Sequence, residues 1–304
     1  MQKLLVIASF LALATASRAA WFTNNVSIDS FVRAASPASN YGGAGALSVS
    51  GASAVNGAGV TNGAFDSFIR FNTAGAVSNF NSLFGTNNWV LNGARLRVTE
   101  TAAPNNALFN RGTGAFEIRW IANDNWIEGT GNPNNPAATG ITYNDEPALL
   151  NIATDAPLGT FTNAGANGAL AFSLALPPEF VTDVMAAGEV GLFLTAIDPG
   201  LGFTFNSRSF GTVSARPFLE ISAVPRPGIS TISLSGNDVV LTATNGVAGG
   251  TYRVLSSTNL ALPLDQWLPV ATHLSSTNGG FTITLANAAG TGLPTARFFV
   301  LETQ

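Results

Sequence analysis

The sequence predicts an all-β protein, a jelly-roll-like antiparallel β-sandwich followed by a smaller immunoglobulin- or fibronectin-like β-sandwich. Short stretches alternate apolar and polar residues with a period of two, and Gly- and Asn-rich turns separate them. Such alternation is typical of antiparallel strands with one buried and one solvated face. Of the 304 residues, 46 % are hydrophobic and only 10 % are charged, a balance that favours a packed core over disorder.

The N-terminus predicts export. Lys3 precedes an apolar run from Leu4 to Ala16, and small residues offer cleavage after Ala16 or Ala19. This pattern is typical of a secretory signal, and it is too short for a comfortable membrane span. We expect residues 1–19 to be a signal peptide. The mature protein should then be soluble, secreted or held at the cell surface, and without a membrane span.

The charge balance excludes several classes of partner and chemistry. Removing Lys3 and Arg18 from the 13 cationic residues leaves 11 arginines against 17 acidic residues, a net charge of about −6. An acidic surface argues against nucleic acid as a partner. The sequence has no cysteine and no lysine after Lys3, which excludes disulfides, P-loops and Schiff bases.

The first domain, expected over residues 20–224, is a succession of strands. Its alternating stretches are VSIDSFVRA, ALSVSG, DSFIRFNTA, WVLNGARLRVTET, FEIRWIA, GTFTNAG, ALAFSLAL, EVGLFLTAID, FTFNSRSF and ARPFLEISAV. In one of them Leu96 and Val98 alternate with Arg95 and Arg97. PPEFVTDVMAAG predicts a helix, because proline can open a helix and glycine can end one.

A proline-rich break separates this domain from a second one. Pro225-Arg226-Pro227-Gly228 predicts a linker over residues 225–229, since residues before proline favour extended backbone. Residues 230–304 then hold six short strand-like stretches joined by turns such as Gly236-Asn237 and Asn245-Gly246. Such turns favour tight hairpins, so we expect a small C-terminal β-sandwich.

Residues 116–147 concentrate aromatic and acidic side chains, and Trp126 lies among Glu117, Asp124 and Glu128. Trp126 either stacks on a sugar ring or covers the edge of the core. The three acids could supply an acid and a base for glycoside cleavage, which requires a fixed separation that spacing does not establish. The alternative is that these acids bond nearby backbone N–H groups.

Four arginines occupy the polar phase of three strands: Arg70, Arg95, Arg97 and Arg119. If these strands are neighbours, the guanidinium groups form a row suited to carboxylate or sulfate groups. The alternative is a solvent face on which the arginines pair with glutamates.

The sequence assembles no nucleophile with a base. It has no cysteine and no G-x-S-x-G motif, and His273 lies in the second domain on the polar phase of a strand. We predict that the protein is not an enzyme and needs no cofactor. A structural calcium ion, with Asp29 and Asn40 as oxygen ligands, is the candidate metal site.

Nine short motifs follow one another along residues 26–224. They are Asp29-Ser30-Phe31, Asn40-Tyr41-Gly42, FIRFN, ARLRV, Trp126-Ile127-Glu128, Thr142-Tyr143, Pro147, Ser207-Arg208 and Arg216-Pro217-Phe218-Leu219. In this order they resemble the DNRLRE-type domain, which is related to carbohydrate-binding module family 96. Asn72 and Ser209 stand where that family often has Asp and Glu, so any role of those acids with a metal or an arginine is in doubt here.

The C-terminal stretches GTYRVLSSTNL, QWLPV and FFVL resemble a small fibronectin-like β-domain of exported bacterial proteins. Both resemblances imply binding or display modules. We therefore expect a secreted, non-catalytic module that recognises an extracellular acidic polysaccharide such as alginate or pectin. Its expected ligand contacts are Arg70, Arg97, Arg119 and Trp126. The alternatives are a structural or adhesive protein of the cell surface or matrix and, more remotely, a polysaccharide lyase or hydrolase.

Overall fold

A computed structural model describes residues 19–101, 108–165, 167–276, 279–289 and 297–303. The chain divides into two compact units, Ala20–Ala223 and a second one that begins at Val224. Both are built from antiparallel sheets, so the predicted all-β class is confirmed. The predicted signal peptide lies outside the described residues, apart from Ala19.

The described part of the first unit contains twelve strands and three α-helices. The strands are β1 (Ala20–Arg33), β2 (Ala46–Ser50), β3 (Val55–Asn56), β4 (Phe65–Asn72), β5 (Trp89–Glu100), β6 (Asn110–Arg111), β7 (Gly114–Ile121), β8 (Ala156–Asn163), β9 (Gly168–Leu174), β10 (Glu189–Ala196), β11 (Gly202–Asn206) and β12 (Phe218–Pro225). The helices are α1 (Ala74–Phe84), α2 (Glu146–Leu149) and α3 (Pro178–Met185).

Ten of these strands form one sheet in the order β1-β12-β5-β11-β2-β4-β10-β7-β8, with β9 paired to β5. β1 closes part of the sheet into a ring, because its first half pairs with β12 and its second half with β4. The partners change at a register shift between Val26 and Ile28. We call β9, β5, β12 and the first half of β1 the first layer. The second half of β1 with β4, β10, β7 and β8 is the second layer.

The core lies between the two layers. Phe116 of β7 meets Phe172 of β9 with ring centres 5.2 Å apart, and Phe203 of β11 lies 5.1 Å from Phe116. The predicted alternation holds along β5, where Leu96 is fully buried and Arg97 beside it is exposed. Burial of these aromatic and aliphatic side chains is the main favourable contribution to folding.

Helices close the ends of this core. α3 was predicted, and it begins after Pro177 with Pro178 in its first turn, where the missing N–H costs nothing. α1 was not predicted. It buries Phe80 against Trp89, and the indole N–H of Trp89 donates to Asn81 at 2.8 Å.

Residues 122–155 cover the outer side of the second layer, and we call them the cover segment. Phe68 points outward from β4, yet it is fully buried against Trp126 of the cover segment, 5.8 Å away, and Phe193, 4.9 Å away. A second apolar cluster results, formed by Val32, Phe68, Ile121, Trp126, Ile141, Leu149 and Phe193. The prediction of one solvated face is therefore wrong for this layer. The outer side of the first layer remains exposed at Trp21, Arg97 and Ser173.

The second unit is a smaller β-sandwich. Its described strands are β13 (Gly228–Ser235), β14 (Asp238–Gly246), β15 (Thr251–Ser257), β16 (Leu268–Leu274), β17 (Gly279–Leu285) and β18 (Phe298–Thr303). They form two three-stranded sheets, β13-β14-β17 and β16-β15-β18, around a core that includes Leu241, Val254 and Ile283. Because β12 reaches Pro225 and β13 begins at Gly228, the linker predicted over residues 225–229 shortens to Arg226 and Pro227.

Candidate functional site

The cover segment decides the role of Trp126. Only 6 % of this residue is exposed, its ring packs on Phe68, and the guanidinium of Arg70 lies 5.5 Å from the ring centre. The structure therefore supports the second alternative, in which Trp126 covers the core. A buried ring cannot stack on a sugar, so the prediction of Trp126 as a ligand contact is corrected.

Arg70 and Arg119 do not extend into solvent together. Their side chains are 19 % and 18 % exposed, and they pair with Glu189 at 3.2 Å and Glu117 at 3.1 Å. Each also donates to a carbonyl of the cover segment, Arg70 to residue 124 and Arg119 to Asp155. The predicted row is wrong for these two arginines, because β10 lies between their strands and the cover segment closes over them.

The three acids around Trp126 serve separate contacts. Glu117 pairs with Arg119, whereas Glu128 pairs with Arg208 in the loop after β11. The Asp124 carboxylate lies against Gly191. A Cβ atom added to Gly191 would come 2.4 Å from Oδ1 of Asp124. Burial raises the pKa of Asp124 to about 7. The structure thus does not bring these acids together as a catalytic pair.

Glu128 and Arg208, which are partly exposed, instead form a network with the fully buried Asp29, and all three are motif residues. Glu128 accepts the backbone N–H of Asp29 at 3.1 Å and the Nε–H of Arg208 at 2.8 Å. Asp29 accepts the backbone N–H of Arg208 at 2.6 Å. Burial is the largest influence on Asp29 and raises its pKa to about 7, against the opposing hydrogen bond from Arg208. These motifs therefore tie β1, the cover segment and the loop after β11 together.

Asn40 is the centre of a second set of structural hydrogen bonds. Its amide oxygen accepts the N–H groups of Gly42 at 3.1 Å and Gly131 at 3.2 Å, and its NH₂ donates to the carbonyls of Glu128 at 2.7 Å and Ile141 at 2.8 Å. Both lone pairs of the oxygen are thereby used. The candidate calcium site loses its amide ligand. Within the described residues, no group of three or more His, Cys, Asp or Glu side chains is placed to hold a metal.

The exposed outer side of the first layer carries a different cluster, Trp21, Arg95, Arg97 and Glu220, which we call the Trp–Arg face. Trp21 is 49 % exposed, and the guanidinium of Arg95 lies 4.4 Å from its ring centre. Glu220 forms salt bridges with Arg95 and, at 3.0 Å, with Arg97. Burial acts to raise the pKa of Glu220, but hydrogen bonds from Arg97 and Arg95 outweigh it and hold the pKa below its usual value.

The residues around the Trp–Arg face have small side chains, so the surrounding surface of the sheet is flat. On β9, Ser173 and Ala171 stand directly opposite Arg95 and Arg97, and all of β9's outward residues are Ala or Ser. Gly93 lies beneath the edge of Trp21, where a Cβ would come 3.4 Å from the ring and 2.8 Å from Ser222 Oγ. One indole ring and two guanidinium groups therefore project from a flat surface of the sheet.

The charges of the Trp–Arg face differ from those of the whole chain. Two arginines face one glutamate there, whereas the full sequence carries a net charge of −4. Arg95 and Arg97 are 40 % and 45 % exposed at their side chains. Of the predicted contacts, Arg97 alone lies on this face. Trp21 was missed, although its place on the polar phase of β1, opposite Phe22, was a usable signal.

The one histidine of the sequence and the helices of the described residues bear on two other roles, catalysis and membrane insertion. In the second unit, His273 stacks on Phe281 with ring centres 4.8 Å apart, a contact typical of a structural histidine. Among the helices of the described residues, none is long and apolar enough to cross a membrane.

Comparison with known proteins adds little to this geometry. No protein-family model and no curated protein matches the chain. The chain is similar to the solved structure of the Macrobrachium rosenbergii nodavirus at 9 % identity, covering 100 % of this chain and 90 % of that one, with a TM-score of 0.24. A TM-score this low carries no argument about function. The resemblance to the DNRLRE-type domain stays a prediction from the motifs.

Proposed function

We propose that this protein is a secreted, non-catalytic module that binds an acidic extracellular polysaccharide through the Trp–Arg face. The observation that carries the proposal is the half-exposed ring of Trp21, held between Arg95 and solvent on an open sheet face. Single exposed apolar residues are ordinary on protein surfaces. A tryptophan held beside two exposed guanidinium groups is a combination suited to charged sugars.

The two kinds of side chain recognise different parts of a uronic acid unit. An aromatic ring offers apolar area to the C–H face of a sugar, and a guanidinium group donates two parallel hydrogen bonds to a carboxylate. Arg97 bonds Glu220 through Nη1. Among the described residues its Nε and Nη2 groups make no other hydrogen bond, which leaves them available to a ligand. Glu220 thus orients the arginines without using all of their donors.

The expected strength of each contact favours a polymer over a small ligand. An exposed ion pair contributes about 0.5–1 kcal/mol, and the indole ring adds only the apolar area that it covers on one sugar. One sugar unit would therefore bind weakly. A chain of identical charged units offers many equivalent contacts, and its effective concentration raises the overall affinity.

Affinity electrophoresis of the mature protein tests the proposal. Gels containing alginate, pectin or a neutral glucan are compared at low and high salt. We expect retention by an acidic polymer, weakening as salt screens the arginines, and reduced retention for Trp21→Ala and for Arg97→Ala. Arg253→Ala is the matched control, because Arg253 has comparable exposure and pairs with Glu302 in the second unit.

The other outcomes separate the alternatives. Mobility that is unchanged in every gel would overturn the proposal and favour a structural or adhesive role at the cell surface or matrix. New reducing ends or unsaturated products in a polysaccharide digest would show a hydrolase or lyase instead. Retention equal in wild type and Trp21→Ala would place the ligand away from the Trp–Arg face.

A further inference from the structure

One cavity of the first unit is lined by three buried residues whose side-chain oxygens lack a hydrogen-bond partner among the described residues. The atoms are Oε2 of Glu100, Oδ1 of Asn110 and Oγ1 of Thr204. The three residues are 7 %, 0 % and 2 % exposed, and the cavity has a volume of about 260 Å³. Buried polar atoms nearly always have a partner, so the three oxygens indicate a bound group in this cavity.

Backbone contacts bring these residues together from three separate segments. Thr101, which follows Glu100, donates its N–H to the carbonyl of Thr204 at 3.2 Å and so fastens the end of β5 to β11. The start of β11 also lies close to β6, because a Cβ atom added to Gly202 would come 2.8 Å from the carbonyl carbon of Asn110. The cavity therefore lies where β5, β6 and β11 meet.

The hydrogen bonds of Ser50 fix the orientation of the Asn110 amide. The Ser50 hydroxyl donates to the carbonyl of Gly63 at 3.2 Å, so its hydrogen is in use. The Ser50 oxygen accepts the NH₂ group of Asn110 at 2.9 Å. The amide nitrogen of Asn110 therefore faces Ser50, and the amide oxygen is the group left for a ligand.

Among the described residues, no arginine neutralises the one carboxylate that lines the cavity. Glu100 takes part in none of the salt bridges of this unit. Arg111 also lines the cavity, but it is an exposed residue. Burial raises the pKa of Glu100, as expected for a carboxylate without a counter-charge. A cation bound beside Glu100 would supply the missing positive charge.

The chemistry of the three oxygens matches a hard cation. Ca²⁺ takes about six to eight oxygen ligands in flexible geometry, and carboxylate, amide and water oxygens are common among them. The cavity has room for water molecules that complete such a shell, since one water occupies about 30 Å³ in the liquid. Exposed residues at its edge, Thr113, Gly165 and Asn167, give an ion access from solvent.

We propose that Glu100, Asn110 and Thr204 form a calcium site, which ties β5, β6 and β11 together. It differs from the pair Asp29 and Asn40, because it combines one carboxylate with two neutral oxygens that have no other partner among the described residues. With a single carboxylate, the expected Kd is about 0.1–1 mM, the range of extracellular calcium modules. The site goes beyond polysaccharide binding and does not depend on the Trp–Arg face.

Isothermal titration calorimetry of the mature full-length protein, freed of divalent ions with a chelator, tests the site. We expect one Ca²⁺ to bind with a Kd of about 0.1–1 mM, and Mg²⁺ to bind about tenfold more weakly because it gives up its water reluctantly. Ca²⁺ should also raise the melting temperature, because it binds the folded state. The absence of binding at millimolar CaCl₂ would mean that water alone fills the cavity and would overturn the proposal. Equal binding of both ions would overturn it as well.

Substitutions locate the bound ion. Glu100→Gln keeps the size of the side chain and removes its charge, so Ca²⁺ should bind at least about tenfold more weakly. Thr204→Val should also weaken binding, yet it should not lower the melting temperature measured in chelator, because the hydroxyl that it removes has no partner among the described residues. This second variant serves if Glu100→Gln does not fold. Glu179→Gln, which removes an exposed acid from α3, is the control and should bind Ca²⁺ like the wild type. Unchanged Ca²⁺ binding in Glu100→Gln or Thr204→Val would place the ion elsewhere and contradict the assignment.

Discussion

Arg95 and Trp21 meet across the intervening strand β12, with the guanidinium carbon 4.4 Å from the centre of the indole ring. The same guanidinium pairs with Glu220. One face of the ring is therefore in contact with a cation that is itself fixed in position, and 49 % of the residue stays exposed. Such an arrangement holds an aromatic side chain in one orientation without burying it, which lowers the entropy cost of binding.

Glu220→Gln should strengthen binding to an acidic polymer at low salt. Removing this carboxylate leaves two guanidinium groups without their shared counter-charge. One additional exposed charge contact of about 0.5–1 kcal/mol corresponds to a two- to fivefold gain. Affinity electrophoresis in alginate gels measures it, with Glu302→Gln in the second unit as control. A loss of retention would show that orienting the arginines matters more than their net charge.

Trp126→Ala should lower stability and leave binding unchanged, whereas Trp21→Ala should weaken binding and leave stability nearly unchanged. Trp126 is buried against Phe68, so its truncation should lower the free energy of unfolding by about 3–5 kcal/mol. Retention per folded molecule should not change. Trp21→Ala should cost less than about 1 kcal/mol of stability, as is usual for exposed sites, and should lose retention. Denaturant unfolding and gel retention, measured on both variants, check this pair of outcomes.

Gly129→Ala should destabilise the cover segment. Gly129 has φ of +77°, and a Cβ there would lie 2.2 Å from the Asn40 side-chain oxygen and 2.5 Å from the Thr139 carbonyl. The substitution combines an unfavourable backbone conformation, about 1–2 kcal/mol, with displacement of Asn40 from its four hydrogen bonds. We expect a total loss above about 2 kcal/mol in denaturant unfolding. Gly45→Ala is the matched control, because no atom lies within 4 Å of its Cβ position, and an equal loss there would contradict this account.

Stability should fall as pH rises from about 4 to 8. Burial raises the pKa values of Asp29 and Asp124 to about 7, so over this range the folded state binds more protons than the unfolded state. The contribution of these two aspartates to stability is then largest below the ordinary aspartate pKa, and it is lost progressively until the folded-state pKa is passed. Melting temperatures between pH 4.5 and 8.5 check the sign.

Asp29→Asn should flatten that pH profile, because its side chain no longer ionises. Because Asp29 is fully buried, its substitution tests the pH dependence more strongly than a substitution of Asp124 would. Asp198→Asn provides a comparison at an aspartate that also accepts a backbone N–H, from Ala115 at 2.7 Å, but lies at an exposed position. A melting temperature that rises steadily toward pH 8 would contradict the assignment.

The local pattern was sufficient to predict most of the strands, although not β3 and β6, and the inward residues of β5. The alternation of Leu96 and Arg97 indicates only which side of β5 is buried, because successive side chains of any strand point to opposite faces. The register and strand order are not local. Arg70, Arg97 and Arg119 carry the same sequence signal, yet β10 separates two of them and the third lies in the other layer.

The two tryptophans show why the site itself was misassigned. Trp126 lies in a turn-rich stretch with acidic neighbours, which resembles an exposed loop, but the stretch folds back over Phe68. Trp21 lies on the polar phase of a regular strand, and among the described residues no segment covers its side of the first layer. Whether an outward residue is buried depends on where distant segments pack, and residue spacing does not contain that information.

Because β1 pairs with both β12 and β4, folding of the first unit depends on contacts between its two ends. Ala20 at the start of β1 pairs with Ala223 in β12, whereas Val26 farther along pairs with Phe71 in β4. The ring therefore closes only when the earliest strand meets the last one, across about two hundred residues of sequence. Contacts of such long range are slow to form, since the entropy of closing a large loop is lost before they stabilise the chain. A nascent chain that lacks β12 leaves half of β1 as an unpaired edge, so assembly of this unit awaits its final strand.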